Sequence, residues 1–345
     1  MTADGKSFKE AVLWEKEEGQ RVRCALCNRR CLIDDGEPGW CRVRQNLGGV
    51  LYSLTYDKVC SANPDPIEKK PLFHFQPGTR SFSVATMGCN FRCDFCQNWQ
   101  ISQAAYEQGR IAGEAVSPEE IVDTAVRTGC KSIAYTYTEP TIFMELCNDC
   151  GVLAKEKGLA NVFVSNGYMT TEAIDLARTW LDGINVDLKA FSEEYYRTFC
   201  KARLEPVLDT IRYIAGQTDI WMEITTLLVP GQNDSADELR RLAEFIANEA
   251  GADVPWHVSR FHPQYRYLDS RPTPMASLER AYQIGKEAGL HYVYLGNVPA
   301  SKAESTFCYN CGKMLIKRLG YAIEENNIEH GRCPECGTEV AGFEL

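Results

Sequence analysis

The stretch SFSVATMGCNFRCDFCQNWQ, residues 81–100, joins an apolar run to three closely spaced cysteines. Residues 81–86 are rich in apolar and aromatic side chains without clean alternation, which is typical of a strand buried on both faces. Cys89, Cys93 and Cys96 follow directly, and the sequence has no fourth cysteine nearby. A structural metal site usually has four protein ligands. The stretch therefore predicts a buried strand that ends at an open, three-thiolate metal site.

Similar apolar runs continue along the chain and alternate with helical patterns. They lie at residues 132–138, 161–166, 184–190, 223–229 and 256–262, with a seventh candidate at 292–297. Ser117 with Glu120, and Ser235 with Glu238, have the spacing of a capping box at a helix start. We therefore predict an α/β fold whose parallel strands form a partial (βα)6-type barrel. Ligands bind at the carboxyl ends of the strands in such folds, and three cysteines follow the first strand.

Two segments of different composition flank the predicted barrel. Residues 1–75 are rich in cysteine, arginine and turn residues, and residues 301–345 contain two CxxC motifs around a hairpin-like stretch. We therefore predict a Cys-rich metal-binding segment over 1–75, a barrel over 76–300 and a small zinc-ribbon-like or rubredoxin-like module over 301–345.

Charge and cysteine content limit the possible functions. The 345-residue chain has a net charge of -10, which argues against broad nucleic-acid binding. It shows no apolar leader and no run long enough for a membrane span, so we expect a cytoplasmic protein without a membrane partner. Its 16 cysteines then indicate metal binding or redox chemistry rather than disulfides.

The C-terminal cysteines form one predicted metal site. Cys308, Cys311, Cys333 and Cys336 are arranged as paired CxxC motifs, which is typical of a tetrahedral site with four thiolates. Structural zinc is the favoured metal, because a module of this size needs a metal to fold. A single iron, as in rubredoxin, is the alternative.

The N-terminal cysteines, Cys24, Cys27, Cys31 and Cys41, are harder to assign. Their spacing matches neither a standard zinc finger nor a common ferredoxin run. Zinc is slightly favoured over an auxiliary [4Fe-4S] cluster. We interpret His74, between two phenylalanines, as a core residue. Five scattered cysteines are interpreted as small buried apolar residues: Cys60, Cys130, Cys147, Cys150 and Cys200.

The C-x3-C-x2-C motif, with Phe95 before its last cysteine, resembles the signature of the radical S-adenosylmethionine (SAM) enzymes. The resemblance implies a [4Fe-4S] cluster on Cys89, Cys93 and Cys96, with one iron open to SAM. Reductive cleavage of SAM would then give a 5′-deoxyadenosyl radical that abstracts hydrogen from a substrate.

The resemblance also implies a set of cofactor contacts at successive strand ends. Glu139 would accept from the SAM ammonium, and Asn166 would approach the methionine or ribose. Asp187 and Lys189 resemble an Asp-x-Lys pair that meets the ribose hydroxyls and the carboxylate. His262 matches a histidine near the adenosine.

Along its whole length the chain resembles the radical SAM component of the AmmeMemoRadiSam system, which is related to pyruvate formate-lyase activating enzymes. The residues CALCNRRCLIDDGEPGWCRVRQN (24–46) and IEKKPLFHFQPGT (67–79) carry this resemblance. One departure is Asn28-Arg29, where the family is expected to have Pro-His.

The family implies a reductant such as ferredoxin or flavodoxin. The substrate remains open between a protein, a peptide and a small molecule, and activation of a glycyl-radical enzyme is one alternative. A non-catalytic zinc-binding interaction scaffold is the alternative from another class.

Overall fold

The computed structural model describes residues 8–298 and 301–345. Within them the chain forms two compact units. The first comprises the described part of residues 1–64 together with 81–182, and the second comprises 65–80 and 183–345. Across these ranges, no helix has both the length and the apolar character that a membrane span requires.

The first unit contains two three-stranded antiparallel sheets and the start of the βα series. Its strands are β1 Lys9–Glu10, β2 Trp14–Lys16, β3 Val22–Cys24, β4 Leu32–Ile33, β5 Arg44–Leu47, β6 Val50–Ser53, β7 Lys58–Pro66 (whose last two residues belong to the second unit), β8 Arg80–Thr86, β9 Glu114–Ala115, β10 Ser132–Tyr135 and β11 Ala160–Ser165. Its helices are α1 Trp99–Ser102, α2 Ala104–Glu107, α3 Pro118–Arg127, α4 Met144–Glu156 and α5 Thr171–Ala177.

Strand pairing separates the N-terminal segment from the βα series. Strands β2, β3 and β4 form one antiparallel sheet in that order, and β1, β6 and β5 form another. Strands β8, β10 and β11 pair in parallel, with β10 in the middle. All of β10 is buried, as is β8 beyond its first residue. The predicted buried parallel strands over 81–86, 132–138 and 161–166 are thus confirmed.

The second unit continues with four parallel strands and a small antiparallel module. Its strands are β12 Gly183–Asp187, β13 Trp221–Leu228, β14 Trp256–Arg260, β15 Val293–Gly296, β16 Thr306–Phe307, β17 Met314–Leu319 and β18 Ala322–Asn326. Its helices are α6 Glu193–Tyr195, α7 Glu205–Gln217, α8 Ala236–Phe245 and α9 Met275–Glu287. Strands β12 to β15 pair in parallel in chain order, which confirms the remaining predicted strands. Strands β16, β17 and β18 form the antiparallel module.

The C-terminal module packs on the strands of its own unit through an apolar core. Its members are Phe73, Tyr292, Tyr294, Cys308, Leu315, Ile316, Cys333 and Val340. His74 lies beside this core and is fully buried. Its Nδ1 lies 2.7 Å from the Ala341 carbonyl oxygen and its Nε2 lies 2.6 Å from the Tyr294 hydroxyl. Because a carbonyl only accepts, Nδ1 donates. Burial lowers the pKa of His74 to about 4, so the ring is neutral near pH 7 and Nε2 accepts from the Tyr294 hydroxyl. The interpretation of His74 as a core residue is confirmed.

Two local expectations differ from the structure. The Ser117 box forms completely, but at α8 only half of the predicted box is described: Ser235 accepts from the Glu238 amide. The Glu238 carboxylate instead accepts from the Phe191 amide at 2.9 Å, since that amide lies within its reach. Four of the five scattered cysteines are buried as expected, whereas Cys60, on β7, is only half-buried. The division at residues 75 and 300 remains a prediction.

Candidate metal and cofactor site

The three cysteines of the 81–100 stretch lie on a loop that begins where β8 ends. Cys93 is buried, and Cys89 and Cys96 are partly exposed. Gly88 opens the loop with a φ of +104°, and a Cβ atom there would lie 2.8 Å from Val43 Cγ1. Only glycine combines this conformation with so close an approach. The Phe91 amide donates to the Cys89 sulfur at 3.3 Å, so the loop folds around its own first cysteine.

A buried carboxylate, Glu139, lies just beyond the end of β10. Its Oε1 accepts from the Thr141 amide at 3.1 Å, the Thr141 hydroxyl at 2.5 Å and the Ser165 hydroxyl at 2.8 Å. Its Oε2 accepts from the Asn166 amide at 2.8 Å. Burial raises the pKa of Glu139 above its ordinary value, and these hydrogen bonds oppose that rise. The fully used Oε1 fixes the carboxylate, while Oε2 retains acceptor capacity.

Asn166 connects this carboxylate to the cysteine loop. Its side-chain amide donates to Asn90 Oδ1 at 2.7 Å and lies 3.8 Å from the Cys89 sulfur. Three predicted residues, Cys89, Glu139 and Asn166, therefore belong to one hydrogen-bonded group in the first unit. Strand ends of β8, β10 and β11 position them, because parallel strands bring their carboxyl ends to one edge.

The chemistry of the loop fits an iron–sulfur cluster. Burial raises the pKa of the Cys89 thiol well above its usual range, with the Glu139 charge as the next cause. The raised pKa means that the free cysteine prefers the protonated thiol. A bound metal cation reverses this preference, since metals bind the thiolate. Cys96 Sγ lies 3.2 Å from the Ser102 hydroxyl. Phe95 is buried on the same loop. Three thiolates of this kind suit a soft metal centre that leaves one position for another ligand.

The other predicted cofactor contacts lie in the second unit. Asp187 ends β12, and its carboxylate forms an ion pair with Lys189 at 3.0 Å. The backbone oxygen of Lys189 accepts from Asn233 at 2.7 Å, which fixes the turn after the strand. His262 is exposed, two residues after the end of β14. Their roles as cofactor contacts remain predictions.

The C-terminal cysteines form a compact group. The sulfurs of Cys308 and Cys336 are 3.6 Å apart, and those of Cys311 and Cys333 are 3.7 Å apart. All four sulfurs lie within 4.8 Å of one another. A tetrahedral ion with metal–sulfur bonds of about 2.3 Å separates its sulfurs by about 3.8 Å. The geometry therefore matches the predicted single-ion site. The hydrogen bond from Thr338 also lowers the pKa of Cys336 to about 6.

Sequence reasoning missed the residues that hold the predicted ones in place. Asn90, Thr141 and Ser165 bind Asn166 or Glu139, and all three are buried. The sequence contained one signal for two of these residues. Asn90 directly follows Cys89, and Ser165 directly precedes Asn166. Small polar residues at buried strand ends need hydrogen-bond partners, so they belong with the nearest charged group.

Comparison with known proteins agrees with this site. The structure is an α/β fold with three cysteines on a loop at the end of a buried parallel strand. Residues 83–246 match the family model described as the radical SAM superfamily. An uncharacterized protein of Methanocaldococcus jannaschii is 46% identical over 335 residues, which cover 96% of this chain and 99% of that protein. The chain belongs to the radical SAM superfamily and is an enzyme of that type.

Two further similarities bear on the branch and the fold. A putative glycyl-radical enzyme activating enzyme of the same archaeon is 26% identical over 222 residues, covering 64% of this chain and 80% of that protein. A radical SAM methyltransferase from Sphaerobacter thermophilus has a crystal structure that matches with a TM-score of 0.51 and 16% identity. That match covers 70% of this chain and 71% of the other. The predicted radical SAM fold and the relationship to activating enzymes are confirmed.

Proposed function

We propose that Cys89, Cys93 and Cys96 hold a [4Fe-4S] cluster whose open iron would bind SAM through its amino and carboxylate groups. The observation that carries this proposal is the buried chain of hydrogen bonds from the Cys89 loop through Asn90 and Asn166 to Glu139. When bound, the reduced cluster supplies one electron to the sulfonium of SAM, which yields methionine and a 5′-deoxyadenosyl radical that takes a hydrogen atom from the substrate.

In this proposal Glu139 accepts a hydrogen bond from the amino group of SAM. Its Oε2 accepts a single described hydrogen bond, from the Asn166 amide, and its Oε1 is held by three donors. A charge-assisted hydrogen bond from the amino group therefore meets a carboxylate that is already oriented. Asn166 has the second role of keeping Asn90 beside the first cysteine. The proposed contacts of Asp187, Lys189 and His262 with SAM, and of Phe95 with the cofactor, rest on the family resemblance.

Activation of a glycyl-radical enzyme is the more specific form of the proposal. The support is the 26% identity to a putative glycyl-radical enzyme activating enzyme over most of that protein's length. Under this form the substrate is the backbone of a partner enzyme, and a ferredoxin or flavodoxin supplies the electron. Modification of another protein, a peptide or a small molecule requires the same site. We also propose that the compact C-terminal group binds zinc.

Anaerobic reconstitution tests the function directly. The chain is loaded with iron and sulfide, reduced, and supplied with SAM, and 5′-deoxyadenosine is then quantified. We expect product from the wild-type chain and none from Cys93→Ala, which lacks a cluster ligand. Cys130→Ala removes a buried cysteine outside the three groups and serves as the control. An intact, reduced cluster that forms no 5′-deoxyadenosine contradicts the proposal.

Co-incubation with a candidate partner enzyme tests the activase form. A glycyl-radical doublet in the electron paramagnetic resonance spectrum, dependent on SAM and reductant, is expected for activation. Turnover of SAM with a different modified product, and no such doublet with any tested partner, would exclude that form and retain the cofactor chemistry.

A further inference from the structure

The four N-terminal cysteines surround one cavity in the first unit. Cys24, Cys27, Cys31 and Cys41 all line it. The cavity has a volume of about 340 Å³ when its opening to solvent is counted. The convergence of four thiols on this space indicates a metal centre.

The spacing of the sulfurs separates this group from the C-terminal one. Among the described residues, which include every cysteine of the chain, the C-terminal group is the only set of three or more metal-ligating side chains whose ligand atoms all lie within 4.8 Å. No three of the N-terminal sulfurs meet that limit, and neither do the sulfurs of Cys89, Cys93 and Cys96. Thiolates on one ion must be close together, whereas thiolates of a cubane cluster bind different irons and stand farther apart. The sulfurs of the N-terminal group, like those of the radical SAM cysteines, are therefore less compact than the C-terminal ones.

Buried donors around the cavity provide a second, independent observation. Four buried nitrogen atoms have no hydrogen-bond partner among the described residues: Arg44 Nε, Arg44 Nη1, Trp40 Nε1 and Asn90 Nδ2. All three residues line the cavity. The Arg44 guanidinium is fixed through Nη2, which lies 3.0 Å from the Glu145 carboxylate, so two of its nitrogens remain for another acceptor.

Orphaned donors of this kind favour a cluster over zinc. A buried N–H without an acceptor costs free energy, and native structures contain few of them. Both centres are anionic when bound by four thiolates, but a cluster adds inorganic sulfides that accept hydrogen bonds. A cluster therefore explains the sulfur spacing and adds sulfide acceptors for the unpaired donors, whereas zinc does not explain the spacing.

Direct contacts join this cavity to the radical SAM loop. Arg29, between the second and third N-terminal cysteines, donates from Nε to the Asn90 carbonyl at 3.0 Å. Arg92, inside the loop, donates to the Trp40 carbonyl at 3.3 Å and stacks on the Trp40 ring at 3.6 Å. Arg29 occupies the position where the family is expected to have histidine. Side chains of each cysteine-bearing segment therefore contact the other segment directly.

We infer that Cys24, Cys27, Cys31 and Cys41 bind a second [4Fe-4S] cluster that exchanges single electrons with the first. A one-electron donor of the ferredoxin or flavodoxin class loses one electron, the second cluster gains it, and the first cluster receives it in turn. No atom is transferred in this step. The electron exchange rests on the proposed function, whereas the binding of the second cluster does not.

The test uses the full chain with the radical SAM cysteines replaced, Cys89→Ala/Cys93→Ala/Cys96→Ala. After anaerobic reconstitution, this variant is expected to retain about four acid-labile sulfides per chain and the Mössbauer spectrum of a [4Fe-4S] cluster, against about eight sulfides in the wild type. Iron at the C-terminal group adds no sulfide, so sulfide is the measured quantity. Zinc without sulfide in the N-terminal group of this variant would overturn the inference.

Two further measurements keep the outcomes distinct. The double variant Cys27→Ser/Cys31→Ser is expected to lose about half of the wild-type sulfide. The control variant Cys60→Ala is expected to lose none. The fully reduced wild type is expected to show broadening of its paramagnetic resonance from two neighbouring clusters, absent in either multiple variant; two independent signals would overturn the electron exchange. A wild type that forms 5′-deoxyadenosine while the triple variant binds no sulfide contradicts only this inference. A triple variant that binds sulfide, together with a wild type that forms no 5′-deoxyadenosine, contradicts only the proposed function.

Discussion

The C-terminal cysteine group and the 89–96 loop both present cysteine side chains, but in different surroundings. The C-terminal group brings four sulfurs within 4.8 Å and exposes two of its cysteines to solvent. The 89–96 loop has three cysteines, wider spacing, and a buried carboxylate and two amides beside it. A group that completes its own coordination contributes to folding, whereas a group with a free position contributes to binding. In the functions proposed for the two groups, the surroundings of the sulfurs therefore separate a structural site from a cofactor site.

Removal of a C-terminal ligand is expected to have the largest effect on stability. Cys308→Ala leaves three thiolates in a module whose core includes Cys308 and Cys333. Structural zinc contributes on the order of 10 kcal/mol of binding free energy to such modules. We expect loss of one zinc per chain and loss of hydrogen-exchange protection across β16, β17 and β18, measured by metal analysis and mass spectrometry.

The matched control for that experiment is Cys130→Ala, a buried cysteine outside the three groups. It is expected to retain zinc and exchange protection. If Cys308→Ala keeps its protection after its metal is lost, the C-terminal group is not structural and the comparison fails.

Acidification is expected to weaken the same region by a smaller amount. Burial lowers the pKa of His74 to about 4 from its ordinary 6.5. The unfolded chain therefore binds more protons than the folded chain between these values, and stability falls as the pH is lowered from 6.5 to 4. The loss reaches about 3 kcal/mol at most.

Urea unfolding at a series of pH values measures this effect, with His74→Gln as the comparison. The difference in unfolding free energy between wild type and variant is expected to shrink as the pH falls towards 4. A difference that stays constant over this range would show that the buried ring does not titrate as described.

Substitution of Glu139 tests the proposal that the site beside the 89–96 loop binds SAM. Glu139→Gln removes the charge that the SAM amino group is proposed to meet, and a charge-assisted hydrogen bond contributes about 1.5–3 kcal/mol. We therefore expect SAM affinity to fall by at least about tenfold. Equilibrium dialysis of the reconstituted protein measures it.

Glu156→Gln makes the same charge change at an exposed position at the end of α4 and serves as the control. It is expected to bind SAM as the wild type does. Equal affinities for all three proteins would remove Glu139 from the cofactor site, although the sulfide content of the cluster should be unchanged in each.

The sequence predicts the strands and cysteine groups better than it predicts the contacts between them. Seven strand positions follow from local composition, because a buried strand needs apolar side chains wherever it lies. The contact of Asn166 with Glu139 joins residues 27 positions apart, and that of Arg29 with Asn90 joins residues 61 apart. Such pairs depend on which strand ends meet, and no local pattern records this.

The N-terminal cysteines show the same limit more clearly. Their spacing left zinc slightly favoured over a cluster, since it matched no standard motif. Sulfur separation and the unpaired donors of Arg44 and Asn90 become visible only in three dimensions. The half-formed box at Ser235 has the same origin, because the Glu238 carboxylate accepts from the amide of Phe191, which is distant in sequence.

Direct detection of SAM on the open iron tests the central claim. The reduced protein is mixed with SAM carrying ¹⁵N in its amino group or ¹⁷O in its carboxylate, and electron–nuclear double resonance of the cluster is recorded. We predict hyperfine coupling to both labels in the wild type and in the Cys308→Ala variant, which lacks only a C-terminal ligand. An intact, reduced cluster on Cys89, Cys93 and Cys96 that shows coupling to neither label would contradict the account.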